Sequence, residues 1–117
     1  MNYDFEYQED FLIVKLSGSV EANERLLTKR FLLQSLRPSL RNIIVDLEGL
    51  GGGEAVYCVG VLNTLKKEVQ LMGGKLKLCS LTPEVSRYFR GNRLDLIFDI
   101  KPSIEQAKSS FGEEKDD

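Results

Sequence analysis

The spacing of apolar residues changes back and forth between the period of a β-strand and that of an α-helix, and this alternation constrains the fold more than any other feature. Five short runs rich in β-branched and large apolar residues predict strands at 2–7, 11–17, 42–47, 75–81 and 96–100. Apolar residues at intervals of three and four predict amphipathic helices at 22–36, 54–72, 82–90 and 103–111. The predicted order is therefore β-β-α-β-α-β-α-β-α.

This order predicts an α/β fold. Strands that alternate with helices favour right-handed crossovers and a parallel sheet, and the polar turn after the first strand favours an antiparallel hairpin at one edge. We therefore expect a five-stranded mixed sheet with four helices. A chain of 117 residues has room for a single domain, which we assign to residues 1–111. Residues 112–117 are predicted to be a flexible acidic tail, because four carboxylates and one lysine make up its last five positions.

The third and fourth predicted strands differ in how much of their surface they should bury. The run 42–47 is almost continuously apolar, which is typical of a strand covered on both faces. The run 75–81 begins with alternating lysine and leucine, which predicts one more exposed face. Gly73 and Gly74 are predicted to end the helix before it, as glycines do in left-handed caps.

Composition excludes several function classes. The chain has no histidine, so it contains neither a histidine-based catalytic triad nor a histidine-ligated metal site. Cys58 and Cys79 are 21 positions apart and form no CxxC pair, which predicts two buried thiols rather than a zinc or redox site. Basic residues number 16 against 18 acidic ones and are scattered, which argues against a nucleic-acid partner. We expect no metal and no cofactor.

The chain also lacks the sequence signals of a membrane or secreted protein. Its apolar runs are far shorter than the roughly 20 residues that span a bilayer. Residues 1–4 include neither a basic segment nor the start of an apolar run of the kind found in secretory signals. We therefore expect a cytoplasmic protein without direct membrane insertion.

A glycine-rich loop at 49–54 joins the third predicted strand to the second predicted helix. Ligands of open α/β sheets bind beyond the carboxyl ends of the strands, and three consecutive glycines before a helix could present backbone N–H groups to an anion. The loop matches neither the Rossmann nor the Walker pattern, and Glu54 would offset the positive end of the helix. A loop that only turns the chain is favoured over nucleotide binding.

The second predicted helix has two distinct sides. Its inward residues at 100° per position are Ala55, Cys58, Val59, Leu62, Leu65, Val69 and Met72, and the opposite row is Val56, Gly60, Thr64, Lys67 and Leu71. Apolar and small residues thus occupy part of the side that solvent should cover. This pattern indicates either a docking face or ordinary scattered surface apolars, and spacing alone leaves both open.

A series of short motifs resembles one known family. The motifs are Asp10–Leu16 with Gly18, Val45-Asp46-Leu47, Gly73-Gly74, Leu76–Val85, Tyr88-Phe89, Leu96-Ile97-Phe98 and Ile104–Ala107. In order and spacing they resemble the STAS domain family of anti-sigma factor antagonists over nearly the whole chain. The specificity lies in the series, since each motif is short.

The resemblance implies a small non-enzymatic module that binds an anti-sigma factor or kinase-type partner through the start of its second helix. In that family the partner phosphorylates a Ser or Thr there, in a pattern like Asp-Ser-Ser/Thr-Gly, and added charge then breaks the complex. Here the acceptor position falls on Ala55, Val56 or Tyr57, depending on the direction of counting. None is Ser or Thr, so the usual phosphoacceptor is missing.

From the resemblance and the helix pattern together we predict a partner-binding site. Its residues are Gly53, Glu54, Ala55, Val56, Tyr57, Gly60 and Thr64. Tyr57 is the nearby hydroxyl that could be modified, although a contact aromatic is the favoured interpretation. A homodimer is left open. The alternatives are a STAS subunit of a larger assembly, such as a lipid-transport ATPase complex, and a small nucleotide-binding protein.

Overall fold

A computed structural model describes residues 2–8, 11–18, 30, 33–34, 36 and 42–113. The strands are β1 (Asn2–Gln8), β2 (Phe11–Ser17), β3 (Asn42–Gly49), β4 (Lys75–Cys79) and β5 (Asp99–Lys101). The continuous helices of the described residues are α1 (Gly52–Leu71), α2 (Pro83–Gly91) and α3 (Ile104–Glu113), and Leu94–Leu96 form a 3-10 turn.

The five strands lie in the sheet in the same order as in the chain, β1-β2-β3-β4-β5. β1 pairs antiparallel with β2, whereas the pairs β2/β3, β3/β4 and β4/β5 are parallel. The mixed α/β sheet with an N-terminal hairpin is therefore confirmed.

One face of the sheet carries the main core, which α1 and α2 cover. Alternate residues of β2, β3 and β4, such as Val14, Val45 and Leu78, meet buried side chains of both helices there. Phe89 of α2 and Phe98 contact each other in this core, with ring centroids 5.9 Å apart. Each buried side chain of this size contributes roughly 1.5–3 kcal/mol to the free energy of folding, so this layer holds α1 in place.

The opposite face is covered by α3 and is only partly apolar. Ile13, Ile44, Cys79 and Ala107 form a small second core there. Beside it Lys77 is 1% exposed, although the alternating pattern of β4 predicted an exposed face. That expectation was wrong because α3 packs over this side of β4.

The buried ammonium of Lys77 is held by polar and aromatic contacts on this face. Its Nζ donates to Ser110 Oγ at 2.7 Å and lies 3.1 Å from Asp99 Oδ2. The same Nζ lies 4.6 Å from the centroid of the Phe111 ring. Charge pairing, hydrogen bonding and a cation–π contact thus compensate for the removal of this charge from water.

The predicted fifth strand is displaced. The run 96–100 reads as a strand, yet β5 contains only Asp99–Lys101 and the apolar residues before it form a turn. Arg93 adopts the left-handed region with φ 58°, and the N–H of Phe98 donates to the carbonyl of Leu94 at 2.9 Å. The chain therefore reverses here, which buries Phe98 and leaves Leu96 77% exposed.

Three α-helices are described without a gap, where the sequence predicted four. Of the helix predicted at 22–36, the described residues are Arg30, Leu33, Gln34 and Leu36, and the first three are helical. Leu33 and Leu36 pack against the main core. At the other end of the chain, α3 continues to Glu113, into the segment predicted as a tail.

Candidate functional site

The turn from β3 into α1 lies at the carboxyl end of the parallel strands and is tighter than predicted. The expected loop over 49–54 consists of Leu50 and Gly51 alone, because Gly49 belongs to β3 and α1 already begins at Gly52. The N–H of Leu50 donates to the carbonyl of Leu47 at 3.0 Å, and the Leu50 side chain is buried. A buried leucine therefore anchors the turn.

Asp46 and Gly49 fix how β3 ends. One carboxylate oxygen of Asp46, a buried residue, accepts a hydrogen bond from the N–H of Glu48 at 2.8 Å. A Cβ added to Gly49 would lie 2.4 Å from the Cβ of Ser17 on the neighbouring strand. Gly49 is thus required for the close approach of β2 and β3, not for binding an anion.

The other glycines of this segment do not form a tight cradle. A Cβ added to Gly51 or Gly53 would meet no described atom within 4 Å. In dinucleotide-binding loops, by contrast, glycines are needed because the ligand or a helix approaches the backbone closely. Gly51 caps α1 without a side-chain hydrogen bond from any described residue, and Glu54 lies in the first turn.

The two sides of α1 are divided as the helical periodicity predicted. Cys58, Leu62, Leu65 and Val69 are buried in the main core, and Val59 and Met72 are half-buried. Ala55 belongs to the first turns of the helix, but its side chain lies outside the described part of the structure. The inward side of α1 is therefore confirmed at every position whose side chain is described.

The opposite side of α1 faces outward and begins with two exposed apolar residues. Val56 is 47% exposed and Tyr57 44% exposed. Gly60, one turn after Val56, is exposed and has no described atom within 4 Å of an added Cβ. Thr64 is half-buried, and its hydroxyl donates to the Gly60 carbonyl at 3.0 Å. These residues form one surface that we name the α1 entry face: Gly53, Glu54, Val56, Tyr57, Gly60 and Thr64.

The thiols are chemically quiet. Burial, and to a lesser extent the nearby carboxylate of Glu54, raises the pKa of Cys58 to about 11. Burial likewise raises the pKa of Cys79 to about 11. Because the thiolate is the nucleophile and the metal ligand, neither cysteine is prepared for such chemistry near neutral pH.

Neither a cluster of metal ligands nor a bilayer-crossing helix occurs among the described residues. Within them, His, Cys, Asp and Glu form no group of three or more that could hold a metal ion. Among the helices that the structure describes, none combines the length and apolarity needed to cross a bilayer.

The fold, including the turn from β3 into α1, agrees with the family that the sequence motifs resemble. The model of the STAS domain family matches residues 2–107, so this chain belongs to the STAS domain family.

Solved structures support the assignment at the level of the fold. A putative anti-sigma factor antagonist from Thermotoga maritima superposes with a TM-score of 0.75, at 20% identity over 92% of this chain and 92% of that one. Phosphorylated SpoIIAA, a cell fate determinant of Bacillus, gives 0.65 at 16% identity over 94% and 99%. A chain of the stressosome, described as a signal integration and transduction hub, gives 0.76 at 15% identity over 94% and 96%.

The cluster of polar side chains around Lys77 was not predicted from the sequence. The side chains of Lys77, Asp99 and Ser110 come from β4, β5 and α3, which are adjacent only in the folded chain. The available signal was the position of Lys77 between two leucines of β4. Its burial depends on α3, whose packing position the local pattern does not specify.

Proposed function

We propose that this protein is a non-catalytic regulatory module that binds another protein through the α1 entry face. The partner is an anti-sigma factor or a related kinase-type protein, and the complex forms in the cytoplasm. The observation that carries the proposal is the exposed pair Val56 and Tyr57 at the start of a helix whose other side is firmly buried. Ala55, which lies between Glu54 and Val56 in the sequence, is also part of the proposed binding site.

The chemistry of the α1 entry face suits a protein contact. Tyrosine is enriched among the residues that dominate binding energy at interfaces, since its large ring loses little conformational entropy. Gly60 has no side chain, so a partner can approach the helix backbone closely next to Val56. The half-buried carboxylate of Glu54 lies at the rim and favours a partner with a basic group at that point.

Regulation in this proposal differs from the phosphorylation switch of the family. Positions 54–57 offer no Ser or Thr to a kinase. Thr64, further along the helix, already donates its hydroxyl to the Gly60 carbonyl. We therefore propose that binding is constitutive or is controlled by the partner, with Tyr57 as the remaining candidate for modification.

The absence of catalysis is part of the same proposal. Without histidine, acid–base work would fall to carboxylates, lysines or tyrosines. The raised pKa values of both thiols argue against cysteine-based nucleophilic catalysis at neutral pH. The α1 entry face itself combines one carboxylate with apolar and small residues, which fits a contact surface better than a reaction centre.

Co-purification from the source cells tests the proposal. The tagged full-length chain should retain a protein partner, identified by mass spectrometry, and Val56→Asp or Gly60→Arg should reduce its recovery at least about tenfold, since a charge would be desolvated at the contact. Leu71→Asp is the matched control, because Leu71 is exposed on the same helix and lies roughly 22 Å from Val56 along the helix axis.

The outcomes separate the candidate functions. Undiminished recovery of the partner with Val56→Asp and Gly60→Arg would remove the α1 entry face from the mechanism. Recovery of an ATPase and a permease, in place of a kinase-type protein, would favour the alternative of a subunit in a lipid-transport complex. Equal loss with Leu71→Asp would show that the effect is not specific to the start of α1.

A further inference from the structure

The outer side of α2 and the turn that follows it carry three exposed arginines. Arg87 and Arg90 lie three positions apart on α2, and Arg93 comes just after the helix ends. Within the described part of the chain, the guanidinium groups of these arginines form neither an ion pair nor a hydrogen bond. Their charges are therefore available to a binding partner.

The turn after α2 fixes Arg93 and exposes two apolar residues beside it. The N–H of Arg93 donates to the carbonyl of Arg90 at 3.2 Å, and the N–H of Leu96 donates to the carbonyl of Arg93 at 3.3 Å. Leu96 is 77% exposed and Ile97 47% exposed. We name this surface the arginine face: Arg87, Arg90, Arg93, Leu96 and Ile97.

The arginine face stays positively charged when its neighbours are included. Glu84 and Asp95 are exposed at its borders. Lys66 adds a fourth cation, since its Nζ donates to the carbonyl of Ile97. Cations thus outnumber carboxylates, and arginine beside apolar side chains is a combination enriched in protein interfaces. The complementary surface is one that is acidic and carries an exposed apolar group.

The opposite edge of the sheet offers such a surface on the same chain. β1 is an edge strand, and Asp4 and Glu6 lie on the same face of the sheet as Ile13 of the second core. Both carboxylates are exposed. Glu6 accepts a hydrogen bond from the neutral amide of Gln8 at 2.9 Å, which leaves its negative charge in place.

The cation nearest to these carboxylates in register does not neutralise them. Lys15 lies opposite Asp4 on β2, but the two side chains form no ion pair among the described residues. Tyr7, which follows Glu6, is 45% exposed and adds an aromatic side chain to this edge. We name Asp4, Glu6 and Tyr7 the acidic edge.

The two surfaces match in the spacing of their charges. Residues three apart on a helix have Cβ atoms about 5–6 Å apart, and residues two apart on a strand are separated by about 6.8 Å. Arg87 and Arg90 can therefore contact Asp4 and Glu6 at the same time. Single exposed ion pairs are weak, so the contact depends on several pairs forming together with burial of Leu96 and Ile97.

Pairing of two β1 strands is a poor alternative contact between copies. Residues directly opposite in an antiparallel pair lie on the same face of the sheet. In the registers with the greatest overlap, Asp4 or Glu6 of one copy would therefore face Asp4 or Glu6 of the other. Like charges directly opposite each other are destabilising.

We propose that the arginine face of one copy binds the acidic edge of a second copy of this chain. α2 connects β4 to β5, and β5 is the edge strand opposite β1. The two surfaces thus lie at opposite edges of the sheet, so the contact is heterologous and copies associate head to tail. The α1 entry face takes no part in this contact, and the proposal does not depend on the function proposed for that face.

Sedimentation of the full chain at increasing concentration tests the proposal. Self-association should weaken at least about tenfold between about 0.05 M and about 0.5 M salt, because salt screens exposed charges. One double variant combines Asp4→Lys with Glu6→Lys, and the other combines Arg87→Glu with Arg90→Glu. Each alone should lose self-association at least about tenfold, because like charges then meet at the contact.

A mixture of the two double variants gives the decisive result. The variant with a reversed acidic edge keeps its arginine face, and the other variant keeps its acidic edge. The mixture should therefore associate, although neither variant does so alone. Recovery in the mixture also shows that each variant is folded, which circular dichroism checks independently.

Controls reverse the same number of charges outside both surfaces. Glu68→Lys with Glu105→Lys, and Lys67→Glu with Lys108→Glu, change charges on α1 and α3 and should alter self-association by less than about twofold. Equal loss in these controls, or a mixture that does not associate, would overturn the proposal. A chain that stays monomeric at every concentration would also overturn it and would leave the arginine face to an acidic region of another protein.

Discussion

Lys77 and Asp99 lead to a prediction that differs from what burial alone suggests. Removing the half-exposed Asp99 should destabilise the protein more than removing the charge of the fully buried Lys77. The two side chains are 39% and 1% exposed. In Lys77→Met the aliphatic stem can still pack under α3, and the charge that was expensive to bury is gone. In Asp99→Ala the ammonium stays buried and loses its carboxylate partner, while its contacts with Ser110 and the Phe111 ring remain.

The magnitudes follow from opposing contributions. Lys77→Met loses the charge-assisted hydrogen bond to Ser110, about 1.5–3 kcal/mol, and the cation–π contact, about 0.5–2 kcal/mol. It also loses the ion pair with the partly exposed Asp99, up to about 1 kcal/mol. It also removes a desolvation cost of several kcal/mol, so we expect a net change in the free energy of unfolding within about 1 kcal/mol. Breaking a buried pair from one side costs about 3–5 kcal/mol. Solvent screens the exposed part of Asp99, so we expect about 2–3 kcal/mol for Asp99→Ala.

Urea unfolding followed by circular dichroism, with both single variants and the double variant, measures these changes. The double variant should resemble Lys77→Met, because the main penalty of losing Asp99 disappears with the ammonium. Lys101→Met, which removes the more exposed cation from the same carboxylate, serves as the control and should cost less than about 1 kcal/mol. A Lys77→Met variant that is less stable than Asp99→Ala would refute this reasoning.

Three further predictions concern the glycines, the thiols and the glycine-rich turn. Gly49→Ala should lower the free energy of unfolding by about 1–3 kcal/mol through its clash with Ser17. Gly60→Ala should raise it by about 0.5–1 kcal/mol, because a helical glycine in open space is replaced by a better helix former. Chemical denaturation measures both changes, and equal effects of the two variants would contradict this reasoning. The free energy of unfolding should fall between about pH 9 and about pH 11, because the unfolded thiols lose protons while the folded ones, with pKa values of about 11, keep them. The slope is at most about 1.4 kcal/mol per pH unit for each thiol. Replacing both cysteines by alanine should flatten this pH dependence. Millimolar ATP or GTP should leave the melting temperature unchanged if the turn at Leu50 and Gly51 is only a turn, whereas saturating ligand at 100 times its dissociation constant would add about 2.7 kcal/mol.

The order of elements and the orientation of α1 could be predicted from local pattern because both depend on periodicity. The spacing of Cys58, Leu62, Leu65 and Val69 selects one side of a helix whatever lies beneath it. The sheet's mixed pairing followed from the placement of helices between the later strands. These features need no knowledge of which side chains meet across the fold.

The errors arose where tertiary contacts override the local signal. Leu96, Ile97 and Phe98 resemble a strand, but burial of Phe98 beside Phe89 and the left-handed conformation at Arg93 turn the chain instead. Lys77 resembles an exposed position until α3 covers it.

The sequential order of the sheet bears on how quickly the protein folds. Each strand pairs with the one that precedes it in the chain, so none has to be inserted between two strands that already pair. Loop-closure entropy is then lost in modest steps, and pairing can spread outward from β2 and β3, which bury the most continuous apolar runs. Sheets with parallel strands ordinarily fold slowly. Among such sheets, one with this sequential strand order should be among the fastest to reach the native state.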